Sequence, residues 1–341
     1  VTGGGGGAVA VAIAVNAGNV HRVEDLLRAV YLDRNFYCLT VDASVSQAET
    51  ERLQAVVRES AVFSGGHVDV FLGHAVNYGG VSAVLSTMDA MQRLLGMSGT
   101  WTHFVNLEAF DYPLVPMESL TSALGRWTNH SFFEYFVEDA MARVGNVTLD
   151  RRVSTDQQHL VFDGAAKVLG QRDDYETHHT SFNMIESAEV NLYASNQRFD
   201  TLSADSHMIL SRELAEFLLR STFAKRMLLN FANSKYPSRH YFATVAAAHP
   251  RFSTLRSHLG IMAYPSTTGE VVFWDELGFR AAAWALSTAR ALFAGPVGER
   301  EPQLHAAIDW VARQNAPGVP ALLQASGGPP APPARPMTAV P

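Results

Sequence analysis

Two aspartates stand where an open α/β sheet would place chemistry. Asp42 closes the apolar run Phe36–Val41, and Asp111 follows another run at 103–107. Each therefore lies just past the carboxyl end of an expected strand, the edge at which such sheets bind ligands. A carboxylate there can bond a ligand or cap a turn and order the neighbouring loop. Tyr78-Gly79-Gly80 opens the next helical pattern, where glycines permit close backbone approach and unpaired amides favour an anion. A tight turn accounts for the same three residues. His178-His179 with Asp173, Asp174 and Glu176 offers imidazole and carboxylate donors. Adjacent residues seldom converge on one ion, so a polar loop is expected there and no metal is assigned. Phe132, Phe133, Tyr135 and Phe136 could stack a sugar, with burial as core the simpler role. Nucleophile-elbow, P-loop and His-Glu-x-x-His patterns are missing.

Alternating strand-like and helix-like patterns over the first hundred residues predict βαβ units and a largely parallel sheet. Ala8–Val15 is a continuous run of small and β-branched apolar residues, which suits a strand buried on both faces. Val23, Leu26, Leu27, Val30 and Tyr31 recur at helical spacing, and Val81, Val84, Leu85, Met88 and Leu95 do so again. Strands are expected at 36–41, 68–72, 103–107 and 208–210, with helices at 48–59, 213–219 and 279–292. Gly3–Gly7 precede the first strand rather than follow it, so they read as a leader and not as a dinucleotide-binding turn. The expected organisation is a Gly-rich leader (1–7), one domain (8–315) with halves at 8–125 and 126–315, and a Pro/Gly/Ala-rich tail (316–341). The second half is loop-rich, and the tail beyond 327 suits an extended polyproline-like chain.

A chain of 341 residues with 47% hydrophobic and 17% charged residues can bury a large core. Its net charge of −7 comes with no dense Lys/Arg run, so the footprint for nucleic acid is missing. One cysteine, Cys38, excludes an intrachain disulfide. No stretch is long and apolar enough to span a membrane, so any anchor or signal is expected before residue 1. The triplets beginning at Asn129 and Asn146 would be glycosylation acceptors in a secretory lumen.

Three blocks, residues 22–42 (RVEDLLRAVYLDRNFYCLTVD), 76–95 (VNYGGVSAVLSTMDAMQRLL) and 101–114 (WTHFVNLEAFDYPL), occur in succession. Together they resemble the core-2/I-branching acetylglucosaminyltransferases, protein xylosyltransferases and plant β-glucuronosyltransferases, most nearly the plant branch. Weaker matches follow at 192–195, 209–212 and 241–245, so the likeness runs from about residue 10 to 295. It implies a GT-A-like α/β fold with a mostly parallel central sheet flanked by helices. It also implies a UDP-sugar donor, a glycan or glycoprotein acceptor, inversion at the anomeric carbon, no metal or other cofactor, and a Golgi-type or secreted location. Asp42, Tyr78, Gly79 and Asp111 become candidate donor contacts on that likeness.

The chain departs from the family pattern at three places. The family's general base is a glutamate shortly before its Phe-x-Thr-Val element, and here Arg239 takes that position. A guanidinium cannot accept a proton at physiological pH. The adjacent His240 is the candidate substitute base if its ring stays near neutrality, but a displacement by one residue usually points a side chain elsewhere, and a structural or surface role is the simpler one. The family's cation after a late Phe-Ala pair is absent, because Phe293-Ala294 continues into Gly295-Pro296; Arg251, Arg256 or Arg290 could compensate, though each is more simply a solvated surface charge. Ala204-Asp205 replaces a small Gly-Ser pair. Two functions therefore stand: a UDP-sugar glycosyltransferase, or a pseudo-glycosyltransferase that serves as a structural or binding module with protein partners.

Overall fold

The computed structural model describes residues 7–135 except 64, 66 and 78, residues 202 and 204–262 except 233–235 and 258, residue 286, residues 291–297 except 296, and residues 302–323. Tyr78, Asn146, the His178-His179 loop, most of the helix expected at 279–292 and the chain beyond 323 lie outside them.

Four parallel strands open the main sheet: β1 (Ala8–Val15), β2 (Phe36–Val41), β3 (Val68–Leu72) and β4 (Trp101–Glu108). It is completed by β6 (His130–Tyr135), β7 (Ala204–Ser211) and β8 (Ser253–Arg256). The order is β3-β2-β1-β4-β7-β6-β8, and only β7 runs against its neighbours. A small second sheet joins β5 (Tyr112–Pro113), β10 (Phe293–Gly295) and β9 (Gly260–Met262). The architecture is mixed α/β with a mostly parallel seven-stranded sheet, as the sequence predicts.

β1 shows how the sequence makes this sheet. Val9, Val11, Ile13 and Val15 point to one core with Leu26, Leu27, Leu53 and Leu120. Ala10 and Ala12 point to the other, where their small side chains leave room for Met91, Leu94 and Phe104. Alternation of side-chain direction thus sends branched residues to one layer and alanines to the other.

The flanking helices follow the same logic. In α1 (Val23–Val30), Val23, Leu26, Leu27 and Val30 are all buried, the i, i+3, i+4, i+7 stripe of a helix lying on a sheet. α2 (Gln47–Glu59) begins with a capping box in which Ser46 and Glu49 satisfy each other's backbone amides. α3 (Val81–Met97) starts at Gly80 and packs Val84, Met91 and Leu94 on the alanine face of β1. α4 (Met117–Leu124) covers the valine face. The chain later adds α5 (Arg212–Arg220), α6 (Thr222–Phe231) and α7 (Tyr241–Ala248) to the alanine side. Phe132 and Phe133 of β6 are buried one in each core, which accounts for half of the dense aromatic stretch.

One boundary differs from expectation. Composition assigns 316–341 to a tail, yet Ala316–Gly318 is a 3₁₀ turn after α8 (Pro302–Asn315), and Val319–Leu323 forms the helix α9. Val319 and Leu323, four residues apart, are fully buried in the valine-side core. Two apolar side chains on one helical face suffice to dock a turn that an averaged composition hides. Among the described residues, no helix is long and apolar enough to cross a membrane.

Candidate functional site

The carboxyl ends of β1, β2 and β4 converge on a cavity of about 380 Å³, closed on one side by α3 and on another by β7 and Ser238. The loop after β1 folds back on itself: Asn19 Oδ1 accepts from the Asn16 amide at 2.7 Å, and Asn16 Oδ1 accepts from the Gly18 amide at 2.8 Å. Asn16, Gly18 and Asn19 all line the cavity. Asp42 lines it too. Its Oδ1 accepts from the Ser44 amide and its Oδ2 from the Val76 amide, each at 2.6 Å. The carboxylate thereby ties the loop after β2 to the loop after β3, so the wall of the cavity is held by Asp42. Gly79 is buried beside the start of α3, and its carbonyl accepts from the Tyr236 amide at 2.9 Å. It lies behind the cavity wall, since α3 presents Ala83, Ser86 and Thr87 instead.

β4 ends at Glu108, which also lines the cavity. Beneath it lies a buried chain of charged groups. Asp111 Oδ2 accepts from the Glu108 amide at 2.6 Å and stands 3.0 Å from His207 Nε2. His207 Nδ1 in turn stands 2.7 Å from Asp205 Oδ1. Asp111 and His207 are buried, and Asp205 is nearly so. Burial opposes charge on the His207 ring, but a carboxylate on each nitrogen raises its pKa well above the usual value. Burial likewise opposes charge on Asp205, and the His207 cation with its hydrogen bonds overrides this and holds the carboxyl well below the ordinary range. The ring is therefore an imidazolium shared by two carboxylates. Glu108 is pushed up, first by burial and then by the Asp111 charge, while His207 and Arg239 pull it down.

Two glycines of the small sheet make room for this chain. A side chain at Gly295 would collide with Asp111 Oδ1, and one at Gly260 would sit 3.1 Å from His207 Nδ1. Gly295, which stands just beyond the Phe293-Ala294 pair, thus serves close packing over Asp111.

His240 and Arg239 follow a short 3₁₀ helix, Pro237–Arg239, entered through Tyr236 in the left-handed region (φ 51°). That conformation costs roughly 1–2 kcal/mol for a non-glycine residue. It is offset by the bond to Gly79 and by the Arg239 guanidinium, 5.0 Å from the Tyr236 ring centre. His240 is buried, stacked on Phe231, and absent from the cavity lining. Burial lowers its pKa to about 4. Arg239 adjoins cavity-lining Ser238, and its charge reaches Glu108 and Asp205. Arg251 pairs with Glu213 on the exposed surface. Asn129 is exposed in the turn before β6.

The structure thus brings Asp42 into the cavity and puts Asp111 one layer beneath it, while Gly79 and His240 lie outside its lining. Glu108, Asp205 and His207 were not singled out together as a site by the sequence. Two local signals pointed to them: Asp205-x-His207 puts both side chains on one face of a strand, and Glu108 and Asp111 span one turn.

Residues 9–285 match the family model described as Core-2/I-Branching enzyme. The chain belongs to that family. Among curated relatives, a probable β-1,3-galactosyl-O-glycosyl-glycoprotein β-1,6-N-acetylglucosaminyltransferase 7 of Sus scrofa is 24% identical over 64% of this chain and 45% of its own. The β-glucuronosyltransferase GlcAT14C of Arabidopsis thaliana is 32% identical over 33% of this chain and 30% of its own. A Homo sapiens β-1,3-galactosyl-O-glycosyl-glycoprotein β-1,6-N-acetylglucosaminyltransferase is 34% identical over 28% of this chain and 21% of its own. The chain spans less than half the length of these relatives. An apo structure of the WbbM bifunctional glycosyltransferase aligns over 89% of this chain and 50% of that one, with a TM-score of 0.44 and 12% identity. Family and relatives together indicate a glycosyltransferase.

Proposed function

We propose that this protein transfers a sugar from a UDP-sugar to a hydroxyl of a glycan or glycoprotein, with inversion at the anomeric carbon and no metal ion. The observation that carries this reading is the cavity at the carboxyl edge of a mostly parallel sheet, in a chain of this family. The loop after β1 and the Asp42 wall, both held in place by their own hydrogen bonds, line the space for a nucleoside and its phosphates. Asn106 and Glu108, on the end of β4, face the same space and suit the sugar and the incoming hydroxyl. The names of the relatives suggest N-acetylglucosamine or glucuronic acid as the sugar, and a galactose-containing O-glycan as acceptor. A secretory lumen is the matching location, and Asn129, which is exposed, would be a glycosylation acceptor there.

Release of UDP tests the reading. Purified protein is given UDP-N-acetylglucosamine or UDP-glucuronic acid with a β-1,3-galactosyl acceptor, with and without a chelator. Acceptor-dependent release unaffected by chelation is expected. Release that requires manganese would contradict the metal-free form of the proposal.

The second reading, a binding module without turnover, is favoured by the sequence resemblance, which puts the guanidinium of Arg239 where the family's glutamate base is expected. It predicts stable folding, UDP or glycan binding, and no product with any donor.

A further inference from the structure

We propose that Glu108 is the general base of the transfer, drawing the proton from the acceptor hydroxyl at the floor of the cavity. This rests on the glycosyltransferase reading above. Among the ionisable groups near the cavity, His240 is buried behind it and Arg239 is cationic, whereas Glu108 and Asp42 line it. Both oxygens of Asp42 are already taken by backbone amides that hold the loops together. No hydrogen bond to the Glu108 side chain is present among the described residues, which leaves its carboxylate for an incoming hydroxyl.

The surroundings fit that task. Asp111 fixes the Glu108 backbone amide from below, and the Asp111–His207–Asp205 chain fixes Asp111. Burial and the charges of Asp111 and Asp205 raise the basicity of the carboxylate, while the His207 and Arg239 cations keep it ionised. Among the described residues, Asp42 is the remaining carboxylate of the cavity lining. In the step itself the acceptor O–H proton passes to Glu108. The acceptor oxygen bonds the anomeric carbon, and the bond from that carbon to the diphosphate oxygen breaks with its electron pair leaving on UDP.

The test uses the whole chain with UDP-N-acetylglucosamine, UDP-glucuronic acid and UDP-xylose as donors, and calorimetry with UDP on every variant. Glu108→Gln is expected to keep UDP affinity within about threefold while turnover falls roughly 10²–10⁴-fold. In Glu108→Ala, azide needs no base: it attacks the anomeric carbon, giving an inverted glycosyl azide and one UDP per azide consumed. In the unaltered protein the acidic limb of kcat/KM lies above the ordinary glutamate range, and Arg239→Gln moves it further up. A Glu108→Gln protein with intact turnover, or an acidic limb unmoved by Arg239→Gln, overturns the assignment. UDP binding without turnover of any donor by the unaltered protein also overturns it but leaves the nucleotide site standing. Loss of both in the unaltered protein overturns the glycosyltransferase reading itself.

Discussion

Asp111 and Asp205 set a carboxylate on each nitrogen of His207, and the charge on that ring ties stability to pH. Its folded pKa is raised, so its contribution is complete below about pH 6.5 and is lost as pH rises through the folded value. His103 and His240 work in the opposite sense. Burial holds both near pKa 4, so the unfolded chain binds their protons first, and stability falls between about pH 6.5 and pH 4. Each costs on the order of 3 kcal/mol at the acid end of that window. Urea denaturation from pH 4 to 9 should therefore show a maximum near pH 6–7. His240→Leu should flatten the acid side, and His207→Gln the alkaline side. Below about pH 6.5, where the ring is charged in both states, His207→Gln should destabilise by about 3–5 kcal/mol, since it leaves two buried carboxylates without their cation.

Among the elements, β1 and β10 carry the sharpest expectations. Ile13 of β1 is fully buried in the valine-side core, so Ile13→Ala should cost about 2–5 kcal/mol in denaturant unfolding. Gly295 of β10 packs against Asp111, so Gly295→Ala should push the Asp111 carboxylate aside. A loss of about 1–3 kcal/mol is expected, with a fall in kcat larger than any rise in KM. β1, β2 and β3 were legible to the residue, and α1 and α3 nearly so, because burial on a sheet leaves a local period. Asp42 was legible for the same reason, as the first polar residue past a strand. The His207 chain was not. It depends on β4 pairing antiparallel with β7, Asn106 opposite Met208, across about a hundred residues of sequence. Glu108 was hidden differently: nothing in its own block distinguishes it from a turn residue until the cavity is seen to open beside it. The helical end at 316–323 was masked by the proline and glycine that follow.

At the scale of the whole molecule, a mostly parallel sheet gathers three loop ends at one edge, and the two cores hold that edge open as a cavity. Membership of the Core-2/I-Branching enzyme family gives the cavity its proposed ligand. On that proposal the space binds a nucleoside diphosphate sugar. Calorimetric titration of the purified protein with UDP and a panel of UDP-sugars tests it most directly, alongside a Ser86→Trp variant that fills the cavity from α3. Micromolar affinity for UDP and at least one UDP-sugar is expected without added manganese, with a loss of at least tenfold in Ser86→Trp. No heat at millimolar ligand, or affinity unchanged by Ser86→Trp, would contradict it.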